Sequence, residues 1–256
     1  MIAKIEIERD QLRRILRSLH QSGLVSDDDG LDVNLTVSPN DSVKIYIRSM
    51  GFVQVMHELT DSDGILVEVE QGSRFVFFSK VLRSVVQKAR PGPLTIKFYH
   101  NKYTVQLSND KIFSTPTSLD LRLVTHSEFT ESRELDNLVR VVDIEREPLK
   151  ESLETMDIVS NILQFKINQG EFWISVSDKV EGEGKVMTYT GPECDLVNWI
   201  QKYQAEPIIR FLDNLTTESV RILVDNSGTL AIEAEREGLV SSLYQSPRVA
   251  GPESRT

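Results

Sequence analysis

The 256-residue chain has a single cysteine and no long apolar run. Cys194 alone can form neither an internal disulfide nor a thiolate zinc site, which favours a reducing, intracellular compartment. The longest apolar runs, at 75–78 and 138–142, have the length of strands, so we expect no membrane span. We also expect no secretion signal, because no basic segment followed by an apolar one opens the chain.

Signatures of enzymes are also scarce. The Gly-Glu-Gly at 182–184 lacks the glycine or Lys-Ser/Thr that would complete a phosphate-binding loop. The acidic segment 27–30 lacks the alternating oxygens and closing Glu of a calcium loop and is typical of a hairpin turn. The four histidines have no metal-ligand spacing: His20, His57, His100 and His126. We therefore expect that the chain is not an enzyme and that it binds neither a cofactor nor a metal.

The balance of charge is acidic, with 29 Lys and Arg against 39 Asp and Glu and a net charge of −10. This excess argues against nucleic-acid binding over the whole surface, but it leaves room for a local basic face. Hydrophobic content of 39% and charged content of 27% are ordinary for a globular protein. The length fits two modest domains.

A repeat is the most informative feature that is present. The hexapeptides Ile-Glu-Arg-Asp-Gln-Leu at 7–12 and Ile-Glu-Arg-Glu-Pro-Leu at 144–149 lie 137 positions apart. Each closes a short apolar strand and opens an amphipathic helix. A second pair of matches keeps the same order at offsets of 127 and 126: 81–83 with 208–210, and 94–96 with 220–222. The sequence therefore predicts a duplicated domain.

Each half has the pattern strand, helix, several strands, helix and two strands, which predicts an α+β fold. Apolar spacing predicts first-half helices over 10–21 and 79–90. The second-half helices begin near Pro148 and Pro207, at first-turn positions where a missing amide donor costs nothing. We expect domains at 1–118 and 138–250, an extended connector at 119–137 and an unstructured tail at 251–256.

Three segments resemble the archaeal and eukaryotic sliding clamps, the proliferating cell nuclear antigen family. Leu-Tyr-Gln-Ser-Pro-Arg-Val at 243–249 is similar to the family's C-terminal ending, and 75–82 looks like its first-half step from strand to helix. The segment 149–160 is similar to the corresponding second-half helix. The resemblance covers nearly the whole chain. It implies two similar clamp domains per chain, strands on the outside, and four helices that line the hole of a three-subunit ring.

The resemblance also implies a function. Such a ring would encircle duplex DNA without reading its sequence, and would tether DNA polymerase, a clamp loader and other replication and repair clients through short docking motifs. The chain would then be cytoplasmic in an archaeon or a virus and nuclear in a eukaryote, with no membrane partner. Two alternatives stay open, a clamp-like subunit of a hetero-ring or checkpoint clamp, and a non-encircling adaptor. Mass in solution would distinguish them.

The helix charges provide an independent test of DNA binding. The segments 9–20 and 79–90 carry net charges of +3 and +4, whereas 145–157 and 206–218 carry −3 and −2. Bases opposite an apolar stripe could meet phosphates, although a solvated helix face gives the same pattern. The candidate DNA contacts are Arg13, Arg14, Arg17, His20, Lys80, Arg83, Lys88, Arg90, Lys150 and Arg210. The acidic second half predicts lopsided contact.

Two further surfaces follow from the resemblance. An apolar client groove would be built from Ile47, Leu121, Leu123, Val124, Leu230, Tyr244, Ser246 and Pro247, residues that could equally be core. Edge strands of opposite halves would pair between subunits through Lys111, Ile112, Phe113, Ser114, Glu171, Phe172, Trp173, Ile174 and Ser175. Charged residues at 111, 178 and 179 could instead blunt these edges in a monomer.

Overall fold

The structure, a computed structural model, describes residues 1–21, 32–38, 42–48, 53–62, 64–100, 102–107, 117–122, 137–168, 170–178, 182–190, 198–236 and 238–248. The chain divides into two compact units. Unit 1 comprises Met1–Arg48, Val55–Ser132 and Glu235–Ser241, and unit 2 comprises Ser49–Gln54, Arg133–Ala234 and Ser242–Thr256. The last strand of the chain is thus shared between the units.

Among the described residues, unit 1 contains two helices and most of nine strands. The elements are β1 (Ala3–Glu8), α1 (Arg9–Gln21), β2 (Asp32–Ser38), β3 (Ser42–Arg48), β4 (Val53–Thr60), β5 (Ile65–Val69), β6 (Ser73–Phe78), α2 (Ser79–Lys88), β7 (Pro93–Phe98), β8 (Lys102–Leu107) and β9 (Thr117–Arg122). One antiparallel sheet has the order β5-β1-β7-β8-β9. In the other, β4, β3, β2 and β6 lie side by side.

Unit 2 has a similar order, with four strands between its helices among the described residues where unit 1 has five. Its elements are β10 (Val139–Glu145), α3 (Arg146–Val159), β11 (Ile162–Asn168), β12 (Glu171–Asp178), β13 (Gly182–Thr190), β14 (Asn198–Gln204), α4 (Ala205–Asn214), β15 (Ser219–Val224), β16 (Leu230–Arg236) and β17 (Leu239–Gln245). One antiparallel sheet has the order β13-β12-β11-β14. The strands β10, β15, β16 and β17 are neighbours in a second sheet.

The core of each unit lies between its sheets and its helix pair. Strand β1 alternates, with Ala3, Ile5 and Ile7 buried and the residues between them more exposed, so one face of the strand packs inward. Helix α1 buries Leu12 and Leu16 among a stripe at helical spacing. Helix α3 buries the corresponding stripe of Leu149, Leu153 and Met156. The predicted helical faces are therefore the ones that fold against the sheets.

The strand registers establish how the two halves correspond. Ile7 pairs with Leu94 in unit 1, and Ile144 pairs with Val220 in unit 2, so the first offset is 137 and the second is 126. Burial agrees for the second helices, because Leu82 and Ile208 are both in the core. The sequence match of 81–83 with 208–210 is therefore wrong by one residue. The structural equivalent of Arg210 is the residue at 84 and not the arginine at 83.

The arginine of the repeated hexapeptide contacts the end of the second helix in both units. In unit 1, the Arg9 guanidinium donates through Nη1 to the Ala89 carbonyl, 2.8 Å away, just beyond the end of α2. In unit 2, Arg146 donates through Nη1 to the Leu212 carbonyl at 3.0 Å and through Nε to the Thr217 carbonyl at 2.9 Å. A cation at a helix C-terminus satisfies exposed carbonyls and opposes the helix dipole. Each arginine thereby ties the two helices of its unit together.

Unit 1 also contains a buried hydrogen-bonded chain centred on His57 of β4. Its Nε2 contacts the Ser18 hydroxyl of α1, and its Nδ1 lies 2.9 Å from the Ser241 hydroxyl of β17. The Ser18 hydroxyl also lies 3.2 Å from the Ile15 carbonyl. Each ring nitrogen of the imidazole thus has a serine hydroxyl as its hydrogen-bond partner. Burial lowers the pKa of His57 to about 3.

Several predicted boundaries differ from the structure. Helix α2 ends at Lys88 and α4 at Asn214, because Pro91 and an extended turn follow them. The predicted connector begins too early, since residues 119–122 continue β9 and pair with β8. Segment 171–178 is not an edge, because β12 pairs with β11 on one side and β13 on the other. The tail 251–256 lies outside the described residues, and none of the described helices could cross a membrane.

Candidate nucleic-acid interface

Helix α1 presents a basic face to solvent. Arg13, Arg14 and Arg17 are exposed, because the apolar stripe that folds against the sheets occupies the opposite side of the helix. Within the described residues, Arg13 and Arg14 make no ion pair. Their guanidinium groups are available to an external anion. The side chain of His20, which we predicted to join this face, is not among those described.

Helix α2 extends this basic face within unit 1, since it packs beside α1. Lys80, Lys88 and Arg90 are exposed and Arg83 is half-buried. Arg90 follows the end of the helix at Lys88. The structure therefore brings seven of the ten predicted DNA contacts onto this helix pair and the residues just after α2. Guanidinium and ammonium groups on such a surface suit phosphate oxygens and carry no base specificity.

The basic side chains predicted to contact DNA from unit 2 form ion pairs with acidic residues of the same unit. The Lys150 ammonium of α3 lies 2.7 Å from an Asp213 carboxylate oxygen of α4 and 3.7 Å from Glu154. The Asp213 hydrogen bond, with help from neighbouring carboxylates, raises the pKa of Lys150. Arg210 is paired with Glu206 one turn before it. Both cations predicted to contact DNA from this half already have anionic partners.

Equivalent positions of the two halves have opposite charge. At an offset of 137, Arg14 and Arg17 of α1 correspond to Glu151 and Glu154 of α3. At an offset of 126, Lys80 of α2 corresponds to Glu206 of α4. All these carboxylates are exposed. The sequence counts predicted the asymmetry, whereas the interhelical Lys150 contact was missed because its partner is 63 positions away.

The predicted client groove remains a prediction, and its residues are distributed over both units. Ile47 and Leu230 are in the core, 2% and 0% exposed, so a client could touch them only after a rearrangement. Tyr244 is 8% exposed, whereas Leu121, Ser246 and Pro247 are half-buried. Leu123 and Val124 lie outside the described residues.

Only part of the predicted subunit surface lies within the described residues. Lys111, Ile112, Phe113 and Ser114 lie outside the described residues. Glu171, Phe172, Trp173, Ile174 and Ser175 form the interior strand β12, with Phe172 and Ile174 in the core. The described strand at the end of that sheet is β13, and the end of the unit 1 sheet beyond β8 is β9. Sequence reasoning missed β13 as an edge, because strand order depends on pairings that local patterns do not record.

Unit 1 also holds a cavity of about 10 Å³ with a wholly apolar lining that includes Ile5, Leu16 and Phe77. Such a space has room for about one water and offers it no polar partner. Among the described residues, no group of three or more His, Cys, Asp or Glu could hold a metal ion.

Comparison with solved structures decides the fold. PCNA of Thermococcus kodakaraensis matches with a TM-score of 0.73 and 17% identity, over 96% of this chain and 100% of that one. A chain from the structure of the C-terminal region of FEN-1 bound to A. fulgidus PCNA matches with a TM-score of 0.72 and 11% identity, over 98% and 100%. The chain has the PCNA-type sliding-clamp fold.

A third clamp extends the comparison. A chain of the PCNA2–PCNA3 complex from Sulfolobus tokodaii matches with a TM-score of 0.70 and 12% identity, over 96% of this chain and 99% of that one. No protein-family model and no curated protein sequence matches the chain. The likeness to sliding clamps is thus one of fold over nearly the whole length, with two similar domains and four helices, as the sequence predicted.

Proposed function

We propose that the chain is a DNA sliding clamp, a processivity factor that closes as a homotrimer around duplex DNA and tethers DNA polymerase and other replication and repair proteins. The observation that carries the proposal is the clamp fold over 98% of the chain. Two features of the described chain support it, a pair of sheet ends suited to ring closure and a basic helical face suited to phosphates. The proposed location is intracellular.

Ring closure would use the strands β9 and β13. Each ends its sheet in the described chain, so one side of its backbone has no strand partner there. Exposed edges invite pairing with another chain, and head-to-tail contacts of this kind close into a ring when the rotation permits. We therefore place the subunit contact at these two strands, with β12 as the neighbour of β13.

DNA would be held by charge without reading sequence. The α1–α2 face supplies exposed arginines and lysines, while the net charge of −10 discourages adsorption of DNA elsewhere. Neutralising phosphates releases counterions, so binding to duplex should be weak, indifferent to sequence and steeply reduced by salt. Clients and a loader would dock through short motifs in the groove that includes Tyr244.

The acidic α3–α4 face favours a second candidate, a subunit of a hetero-ring. A ring whose chains all carry one acidic helix pair would have an uneven hole, and a different partner chain could supply the missing bases. The Sulfolobus tokodaii structure is itself a complex of two different clamps. A partner requirement would appear as a monomer that assembles only when the second chain is added.

Mass in solution tests the proposal most directly. Multi-angle light scattering at tens of micromolar should give three times the 29.1 kDa mass of one chain. A monomer alone would contradict the homotrimer and favour the hetero-ring or an adaptor.

A proline pair locates the contact. Successive N–H groups of a strand point to opposite sides, so only one of Ser118→Pro and Leu119→Pro removes a donor that faces away from β8. The variant that loses the outward-facing N–H should keep its melting temperature and lose the trimer. The variant that loses an N–H bonded to β8 should unfold more readily. If the stable variant remains trimeric, β9 is not the contact strand.

A further inference from the structure

The cations of the α3–α4 face differ from those of α1–α2 in having anionic partners within the chain. We propose that Lys150 and Arg210 are latent phosphate contacts, held off DNA by Asp213, Glu154 and Glu206, so that the α1–α2 face alone binds the duplex. The inference rests on the proposed DNA-binding function. It assigns these carboxylates a role as intramolecular competitors of phosphate.

The Lys150 contact has the geometry of such a competitor. Its ammonium is 2.7 Å from Asp213 across the helix pair and 3.7 Å from Glu154 on its own helix, and its side chain is only 19% exposed. A DNA phosphate could bind this ammonium only by displacing a carboxylate oxygen. Such an exchange releases no bound counterion. Counterion release is the source of most nonspecific affinity for DNA.

The first half shows the arrangement without the competitor. The position equivalent to Lys150 is Arg13, and the position equivalent to Asp213 is Gln87. Gln87 carries no charge, and Arg13 is exposed without an ion pair among the described residues. The residue at this position of the second helix is Asp213 in unit 2 and Gln87 in unit 1. Its charge therefore decides whether the base on the first helix is open to phosphate.

Arg210 is held in the same way on a single helix. Glu206 lies four residues before it, the order in which an acid and a base on a helix attract most favourably. The equivalent positions on α2 are Lys80 and Ser84, so the first half has a base where the second has the competing acid. The same position of the second helix thus adds a base to the first half and an acid that pairs with Arg210 to the second.

The test measures binding of a fluorescein-labelled duplex of random sequence by anisotropy, between about 50 and 200 mM NaCl. Asp213→Asn should tighten binding at low salt about threefold and steepen the salt slope by about 0.9, the effect of one added phosphate contact. Glu151→Gln is the matched control, because it removes the same charge from the same face but has no base as partner in the described residues. It should give a smaller gain and leave the slope unchanged.

A charge-conserving pair completes the test. Lys150→Gln combined with Asp213→Asn should bind DNA with the slope of the wild type, because the removed pair contributes no contact. Arg13→Gln combined with Glu151→Gln also conserves charge, but its slope should fall by about 0.9 because an open base is lost. Likewise, Glu206→Gln should steepen the slope by freeing Arg210.

Two outcomes would overturn the inference. Equal gains from Asp213→Asn and Glu151→Gln would show that only overall repulsion had changed, and a reduced slope in the Lys150/Asp213 double variant would show that Lys150 already binds phosphate. These outcomes leave the clamp proposal intact. If the wild type fails to bind duplex even at low salt, the DNA-binding function itself fails together with this inference.

Discussion

Acid should destabilise unit 1 through His57. In the folded chain, burial holds the pKa of this imidazole at about 3, well below the ordinary 6.5. Between these values the unfolded chain binds a proton that the folded chain does not, so stability rises with pH across the window and falls as the pH drops below 6.5. Both ring nitrogens face serine hydroxyls, which carry no charge to offset that of an imidazolium.

The magnitude follows from linkage. A pH of 5 lies one and a half units below the ordinary pKa of histidine. At about 1.36 kcal/mol per pKa unit, the free energy of unfolding at pH 5 is therefore lower by about 2 kcal/mol. The cost at pH 7 is about 0.2 kcal/mol by the same relation. The figure at pH 5 is insensitive to the folded pKa as long as that value stays below about 4. The expected loss of stability between pH 7 and pH 5 is therefore set by the unfolded chain.

The assay compares wild type with His57→Gln, which cannot titrate but keeps an acceptor and donors. Hydrogen exchange of β4 and α1 amides at pH 7 and pH 5 gives their free energies of opening, compared at equal pH so that intrinsic rates cancel. At pH 7 the variant should be less stable by about 1 to 3 kcal/mol, because the serine hydroxyls are imperfectly paired. At pH 5 the gap should shrink by about 2 kcal/mol. A gap that does not change with pH would refute the reasoning.

Three further outcomes are expected. Replacing Arg146 with alanine should cost about 1 to 3 kcal/mol of unit 2 stability through its two lost carbonyl contacts, whereas Arg140→Ala, exposed and paired with its near neighbour, should cost under about 1 kcal/mol in denaturant titrations. Gly238→Ala should lower the melting temperature more than Gly170→Ala, since both have positive φ but only Gly238 would place a Cβ 2.3 Å from a side-chain oxygen; equal losses would mean that the neighbour yields. Tyr244→Ala should weaken binding of a client peptide by about 2 kcal/mol in calorimetry, and unchanged affinity in a folded variant would remove Tyr244 from the groove.

Elements with strong periodicity could be predicted from the sequence alone. Helix α1 begins one residue and helix α3 two residues before the expected position, because a strand, a repeated Ile-Glu-Arg and an amphipathic stripe fix them locally. Strand order could not be predicted in the same way. The alternation of Phe172, Ile174 and Val176 is identical for an edge strand and for an interior strand with one face buried. Only the pairings with β11 and β13 show that β12 is interior.

The candidate DNA contacts show a similar limit. Counting charges along each helix predicted that the first half is basic and the second acidic, and exposure of Arg13 and Lys80 agrees. Counting could not show which bases are already occupied. That property depends on whether a carboxylate such as Asp213, distant in sequence, lies within reach of Lys150 across the helix pair.

The two repeats have kept their internal contacts and diverged at their surfaces, and energetics explains why. Arg9 and Arg146 hold carbonyls at the ends of neighbouring helices, where losing a partner leaves polar groups unsatisfied at a cost of about 1 to 3 kcal/mol. An exposed change such as that between Arg14 and the glutamate at 151 alters stability by about 0.5 kcal/mol or less. The surface charge could therefore invert in one repeat while the anchor stayed fixed. Since the fold tolerates either sign, stability does not fix the charge on each helix pair. The informative comparison is between Lys150, which is paired with Asp213, and Arg13, which has no ion pair among the described residues.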